Sequence, residues 1–83
     1  LAGTVHTAAY KKLLTQLVEA RDKADLSQAQ LAQRIGKPAS FVGKYELGER
    51  RLDVIELLII LRSLGVDRDA FMEVVSQGIP KQL

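Results

Sequence analysis

The sequence predicts an all-α fold, a compact bundle of five helices, on three observations. Apolar residues recur at i, i+3, i+4 and i+7 in successive windows of the chain. Each window is bracketed by residues that start or stop helices. No segment shows the period-two alternation of a half-buried strand.

The first helix is expected from about Ala8 to Asp22, with Tyr10, Leu13, Leu14, Leu17 and Val18 along one face. Ser27 caps the second. Gln30 lies three residues on, the reciprocal capping-box arrangement. Gly36 closes that helix because glycine takes the left-handed conformation at little cost. The third begins near Pro38, where a fixed φ and a missing N–H are harmless, and stops at Gly48. Asp53 caps the fourth, again with a carboxylate three places on at Glu56, and Gly65 ends it. Asp67 caps a short fifth helix through Val75, which Gly78 and Pro80 terminate. Connections of about two to five residues force neighbouring helices to pack at once. The ordered domain is expected over residues 8–76, after a flexible N-terminal segment (1–7) and before a C-terminal tail (77–83).

Composition narrows the function classes. The 83 residues suffice for one modest core, and 47% apolar with 27% charged residues is the balance of an ordinary globular chain. With no cysteine there is neither a disulfide framework nor a thiolate metal site, which suits a cytoplasmic location. The longest apolar run, Leu57 to Leu61, falls far short of the roughly 20 residues that span a bilayer. No catalytic arrangement is evident and no cofactor or metal is expected. His6 is the only histidine, Asp67 and Asp69 read as a cap and a dipole-complementing acid, and no glycine-rich phosphate loop exists. Tyr10 and Tyr45 read as core.

The formal net charge of +2 says little, but its distribution says more. Residues 1–26 carry net +1, residues 27–52 net +3 and residues 53–83 net −2. A basic central third suits a phosphate-tracking surface, although chance variation produces the same pattern. The stretch QAQLAQRIGKPASFVGKY is more specific. Only Gly36, Lys37 and Pro38 separate the second and third helices, a turn that holds them at a steep angle. Ala32 is small where the helices cross, and Leu31, Ile35, Val42 and Tyr45 bury their inner faces. These residues, with the caps and the following Glu46-Leu47-Gly48, define a helix-turn-helix unit over residues 27–47.

On these residues the chain resembles the Cro and phage-repressor type of regulator, the XRE-like family. The likeness runs from about Leu13 to Val75, best in LSQAQLAQRIG, YELGERR and LRSLGVDRDAF. It implies a lambda-repressor-like domain, bacterial or phage, that regulates transcription by binding double-stranded operator DNA as a homodimer, its third helix in the major groove. Two departures stand out: Lys37 replaces a common apolar residue of the turn, and Ala39 replaces a polar reader of bases. The outward stripe of the third helix, Ala39, Ser40, Gly43 and Lys44, would face base edges, while Val42, Tyr45 and Phe41 point inward or to the rim. Gly43 reads equally as clearance for DNA or as a tolerated surface glycine. The resemblance places Gln28 on a phosphate at a helix N-terminus. Lys37, Arg50 and Arg51 would clamp the flanking strands, and the orientation of Arg34 is left open. The resemblance also pairs Arg21 with Glu46 as a structural ion pair.

The fourth helix is apolar almost all round. Val54, Leu57, Ile60, Leu61 and Leu64 form one face, expected in the core. Ile55, Leu58 and Ile59 lie on another, expected to meet a second copy in a twofold contact or to be covered by the fifth helix or the tail. On the family resemblance, a dimer implies a palindromic operator with half-sites about 34 Å apart. Two other readings remain. In one, the protein is an antitoxin-like interaction module that binds DNA secondarily and takes a protein partner through Phe71, Met72, Val74, Val75, Ile79 and Leu83. In the other, it is the DNA-binding part of a longer chain.

Overall fold

The computed structural model describes residues 7–83 and contains five helices: α1 (Ala8–Lys23), α2 (Gln28–Arg34), α3 (Ala39–Glu46), α4 (Val54–Leu64) and α5 (Arg68–Ser76). No strand occurs among the described residues. His6 and the expected flexible segment lie outside them, except for Thr7, whose hydroxyl accepts from the Tyr10 N–H and caps α1.

The caps set the boundaries. Ser27 and Gln30 exchange hydrogen bonds at the start of α2 (3.0 and 2.8 Å), and Asp53 and Glu56 do so at the start of α4 (2.7 and 2.9 Å). Asp67 accepts from the Ala70 N–H at 3.1 Å to open α5. Pro38 stands just before α3 as its cap rather than inside its first turn, so α3 starts without a side-chain cap. The end of α1 differs in kind from the glycine stops elsewhere. Asp25 itself takes the left-handed conformation (φ 59°), and the Leu26 N–H returns to the Arg21 carbonyl at 3.3 Å.

The core joins Leu14 and Leu17 of α1, Leu31 and Ala32 of α2, Phe41, Val42 and Tyr45 of α3, Leu57, Ile60, Leu61 and Leu64 of α4, and Phe71 of α5. Ala32 is wholly buried where α2 and α3 pack together, so a larger side chain would cost about 1–3 kcal/mol by overpacking. Gly36 takes φ 74° at the corner, and the Lys37 N–H returns to the Ala32 carbonyl at 2.9 Å. That bond turns the chain sharply out of α2 and aims α3 across it. The Tyr10 hydroxyl accepts from the Leu52 N–H at 3.1 Å, holding the α3–α4 loop against α1.

Three expectations need correction. Val54 is 68% exposed rather than in the core, because it is the first residue of α4 and burial on that face begins only at Leu57. Phe71 is core rather than part of a C-terminal sticky surface, since it is the residue with which α5 anchors itself. The tail does not cover the outer face of α4. Ile79, Pro80 and Leu83 instead share a groove with Tyr10 and Leu13 of α1, and the Lys12 ammonium donates to the Gln77 carbonyl. Ile55 and Ile59 therefore stay exposed, with Leu58 half-buried between them.

Candidate nucleic-acid interface

The corner presents one side of α3 to solvent. Phe41, Val42 and Tyr45 turn inward and are buried; Ala39, Ser40 and Lys44 are exposed. Gly43, on the same outer stripe, is half-buried, and the group beside it is Gln28. A β-carbon at Gly43 would lie 3.4 Å from Gln28 Oε1, an ordinary contact. The space over this glycine is thus shared by the side chain that opens α2.

Gln28 belongs to a network that ties three helices. Its Nε2 donates to Glu46 Oε1 at 2.8 Å. Arg21 grips the same carboxylate with a fork: Nε to Oε2 at 2.7 Å and Nη2 to Oε1 at 3.1 Å. Its Nη1 donates to the Leu26 carbonyl at 2.8 Å. The two ionic side chains retain only 12% and 6% of their exposure. The hydrogen bond to Glu46, reinforced by its charge, raises the Arg21 pKa even against the cost of burial. Next to this network the Tyr45 phenol is buried without a hydrogen-bond partner for its hydroxyl. Burial pushes its pKa far above the ordinary tyrosine value.

A second cluster brackets the opposite edge of α3. The Phe41 ring carries Lys37 Nζ at 5.3 Å and Arg50 Cζ at 4.7 Å, both over its face. It meets Tyr45 edge-on, with centroids 5.8 Å apart. The Arg50 N–H donates to the Lys44 carbonyl at 3.3 Å, fastening the segment after α3 to the helix itself. The Arg50 guanidinium forks onto Glu56 at 3.0 and 2.8 Å and donates to the Arg51 carbonyl at 2.8 Å. Its hydrogen bonds to Glu56, with that of the Asp53 N–H, hold the Glu56 carboxyl below its usual pKa. Arg51 lies over the Tyr10 ring at 5.8 Å. Among the described residues, Lys37, Lys44 and Arg51 form no ion pair.

The residues singled out in the sequence therefore sort into three groups. Ala39, Ser40, Lys44 and Lys37 share the exposed side and margin of α3, and Arg51 is exposed just beyond Arg50, over the Tyr10 ring of α1. Gln28 and Gly43 meet at the seam between α2 and α3. Arg50 lies at the same margin but is already committed to Glu56. Sequence reasoning missed the Gln28–Glu46 and Arg50–Glu56 contacts and the two cations over the Phe41 ring. Glu56 did stand out as a cap, but the carboxylate of a capping box has a second oxygen that can reach elsewhere. Ile55, Leu58 and Ile59 form a separate apolar groove with Arg62, Val66 and Arg68. No group of three or more potential metal ligands occurs among the described residues, and no helix there is long and apolar enough to cross a membrane.

Comparison with known proteins agrees with this geometry. A helix-turn-helix family model matches residues 17–71. No curated protein matches the chain. Among solved structures, the chain is similar to an XRE-family like protein from Pseudomonas syringae pv. tomato str. DC3000. The two share 45% identity and superpose with a TM-score of 0.83, over 93% of this chain and 94% of that one. The chain belongs to the XRE-like helix-turn-helix family of DNA-binding regulators.

Proposed function

We propose that the protein is a sequence-specific repressor that inserts α3 into the major groove of double-stranded DNA and binds as a homodimer. The observation that carries this reading is the exposed stripe of Ala39, Ser40 and Lys44, with exposed Lys37 at its margin and Arg51 just beyond Arg50, neither of them held in an ion pair. Lys44 donates to guanine O6 and N7, Ser40 to either base type, and Ala39 touches a thymine methyl. Gly43 adds no side chain of its own beyond the Gln28 amide that lies beside it. Gln28, Lys37 and Arg51 contact phosphates, which position the helix without reading sequence, and Arg50 joins them only when released from Glu56. Repression follows from occupancy of the operator, with no catalytic step and no cofactor, in the cytoplasm.

The dimer uses Ile55, Leu58 and Ile59. Two of these are 63% and 48% exposed, an arrangement more readily accounted for by a second copy than by solvent. A twofold pair sets two α3 helices about 34 Å apart on a palindromic site. The antitoxin-like alternative gains no support: with Phe71 in the core, the exposed large apolar groups of the C-terminal stretch are Val74, Ile79 and Leu83.

Selection of bound sites from random duplexes at fixed salt tests the proposal. An enriched inverted repeat supports it, and enrichment of no sequence rejects it. Sedimentation of Ile59→Glu tests the dimer: a monomer is expected, and an unchanged mass rejects this surface.

A further inference from the structure

Arg50 is placed as a phosphate ligand would be, yet its fork is occupied by the protein's own carboxylate. It follows α3 directly and is tied by its backbone to the Lys44 carbonyl. It shares the Phe41 ring with Lys37, and its side chain is 41% exposed. Glu56 meets it through two near-parallel N–H···O bonds of 3.0 and 2.8 Å, the geometry in which a guanidinium also takes a phosphate. Glu56 is simultaneously fixed by the Asp53 N–H at 2.9 Å, so the start of α4 holds the carboxylate in place.

We propose that Glu56 competes with the DNA backbone for Arg50, and so sets how much of the basic margin of α3 is available to phosphate. This rests on the reading of α3 as the DNA-facing helix. Held by Glu56, Arg50 contributes little to the sequence-independent attraction that dominates binding to random DNA. The pairing thereby limits non-specific affinity without touching the residues that face bases. Glu56 is a positioning residue, acting through Arg50 rather than on DNA.

Glu56→Gln isolates the charge. Glutamine retains the cap, as Gln30 does at the start of α2 in this same chain. One added phosphate contact steepens the dependence of log K on log salt by about 0.9, which near 0.15 M salt amounts to about fivefold tighter binding. E56Q is therefore expected to bind random duplex about fivefold more tightly, with the gain vanishing towards 1 M salt. In an Arg50→Met background the gain should fall well below fivefold, leaving only the loss of one negative charge that also faces Lys37. Melting of each variant shows that it is folded.

An E56Q protein with unchanged or weaker random-duplex affinity and an unchanged slope overturns the proposal. So does an equal gain in the Arg50→Met background, which would assign the effect to net charge alone. Lys44→Ala/Arg51→Ala separates the two levels of argument. If that variant loses DNA affinity while E56Q is inert, only the role of Glu56 fails. If it keeps full affinity, the DNA-facing reading of α3 fails with it.

Discussion

Loss of the Arg21–Glu46 pair should be the most damaging single polar change in this domain. The fork makes two hydrogen bonds of 2.7 and 3.1 Å, with side chains only 12% and 6% exposed. At an effective dielectric of 20 the Coulomb attraction is about 4 kcal/mol at 4 Å, but desolvation offsets much of it. Removing one partner leaves the other charge nearly buried. Glu46 would keep only the Gln28 amide, and Arg21 only the Leu26 carbonyl and exposed Asp22. Either Arg21→Met or Glu46→Gln should therefore cost about 2–4 kcal/mol. A domain of this size has roughly 4–12 kcal/mol in all. With a urea m-value of about 1 kcal/mol/M, the midpoint should fall by about 2 M or more. The double variant should be less destabilised than the two losses added together, with a coupling of about 2 kcal/mol. Equilibrium urea unfolding of all four proteins at pH 7 reads this directly. A coupling below about 0.5 kcal/mol, as for an exposed pair, would refute the reasoning.

Three further outcomes follow from the same geometry. Tyr45→Phe removes a buried hydroxyl that has no partner and should raise stability by about 1 kcal/mol, seen as a higher melting temperature; a fall of that size would mean the hydroxyl is satisfied. Gly43→Ala should gain up to about 1 kcal/mol in helix stability, since the new methyl approaches nothing nearer than Gln28 Oε1 at 3.4 Å. It should nevertheless weaken binding to the selected duplex, and undiminished affinity would identify Gly43 as a tolerated surface glycine. The folded-state pKa of Glu56 is depressed, so its contribution is complete above the ordinary carboxylate range and is lost as pH falls through the folded value. Melting followed from pH 7 to 3 should thus bring wild type and E56Q progressively closer. A gap that stays constant would contradict the assignment.

Much of the fold was legible because its signals are local. The Ser27–Gln30 and Asp53–Glu56 boxes depend on a fixed three-residue offset, and Gly36 and Gly65 announce left-handed stops. The end of α1 was less clear because Asp25, not glycine, takes that conformation. Val54 shares the helical phase of Leu57 and Leu61, but phase does not reveal where a core ends along the helix. The candidate site divides the same way. The outward stripe of α3 follows from 100° periodicity once Val42 and Tyr45 are placed inside. What the chain did not disclose is how its polar side chains choose among partners. Gln28 reaches Glu46 across 18 positions, and Arg50 turns to Glu56 rather than to solvent. Such choices depend on the crossing of α2 over α3 and on the loop before α4. No spacing rule encodes either.

The central claim is that the Ala39-to-Lys44 side of α3 meets DNA while the cations around it hold the backbone. Titration of the selected duplex with Lys44→Ala/Arg51→Ala over a range of salt concentrations tests it most directly. Losing the Arg51 phosphate contact should cost about fivefold near 0.15 M salt and lower the salt slope by about 1, and losing the Lys44 base contact as well should bring the total loss to about 30-fold or more. Wild-type affinity and slope in a folded double variant would contradict the account.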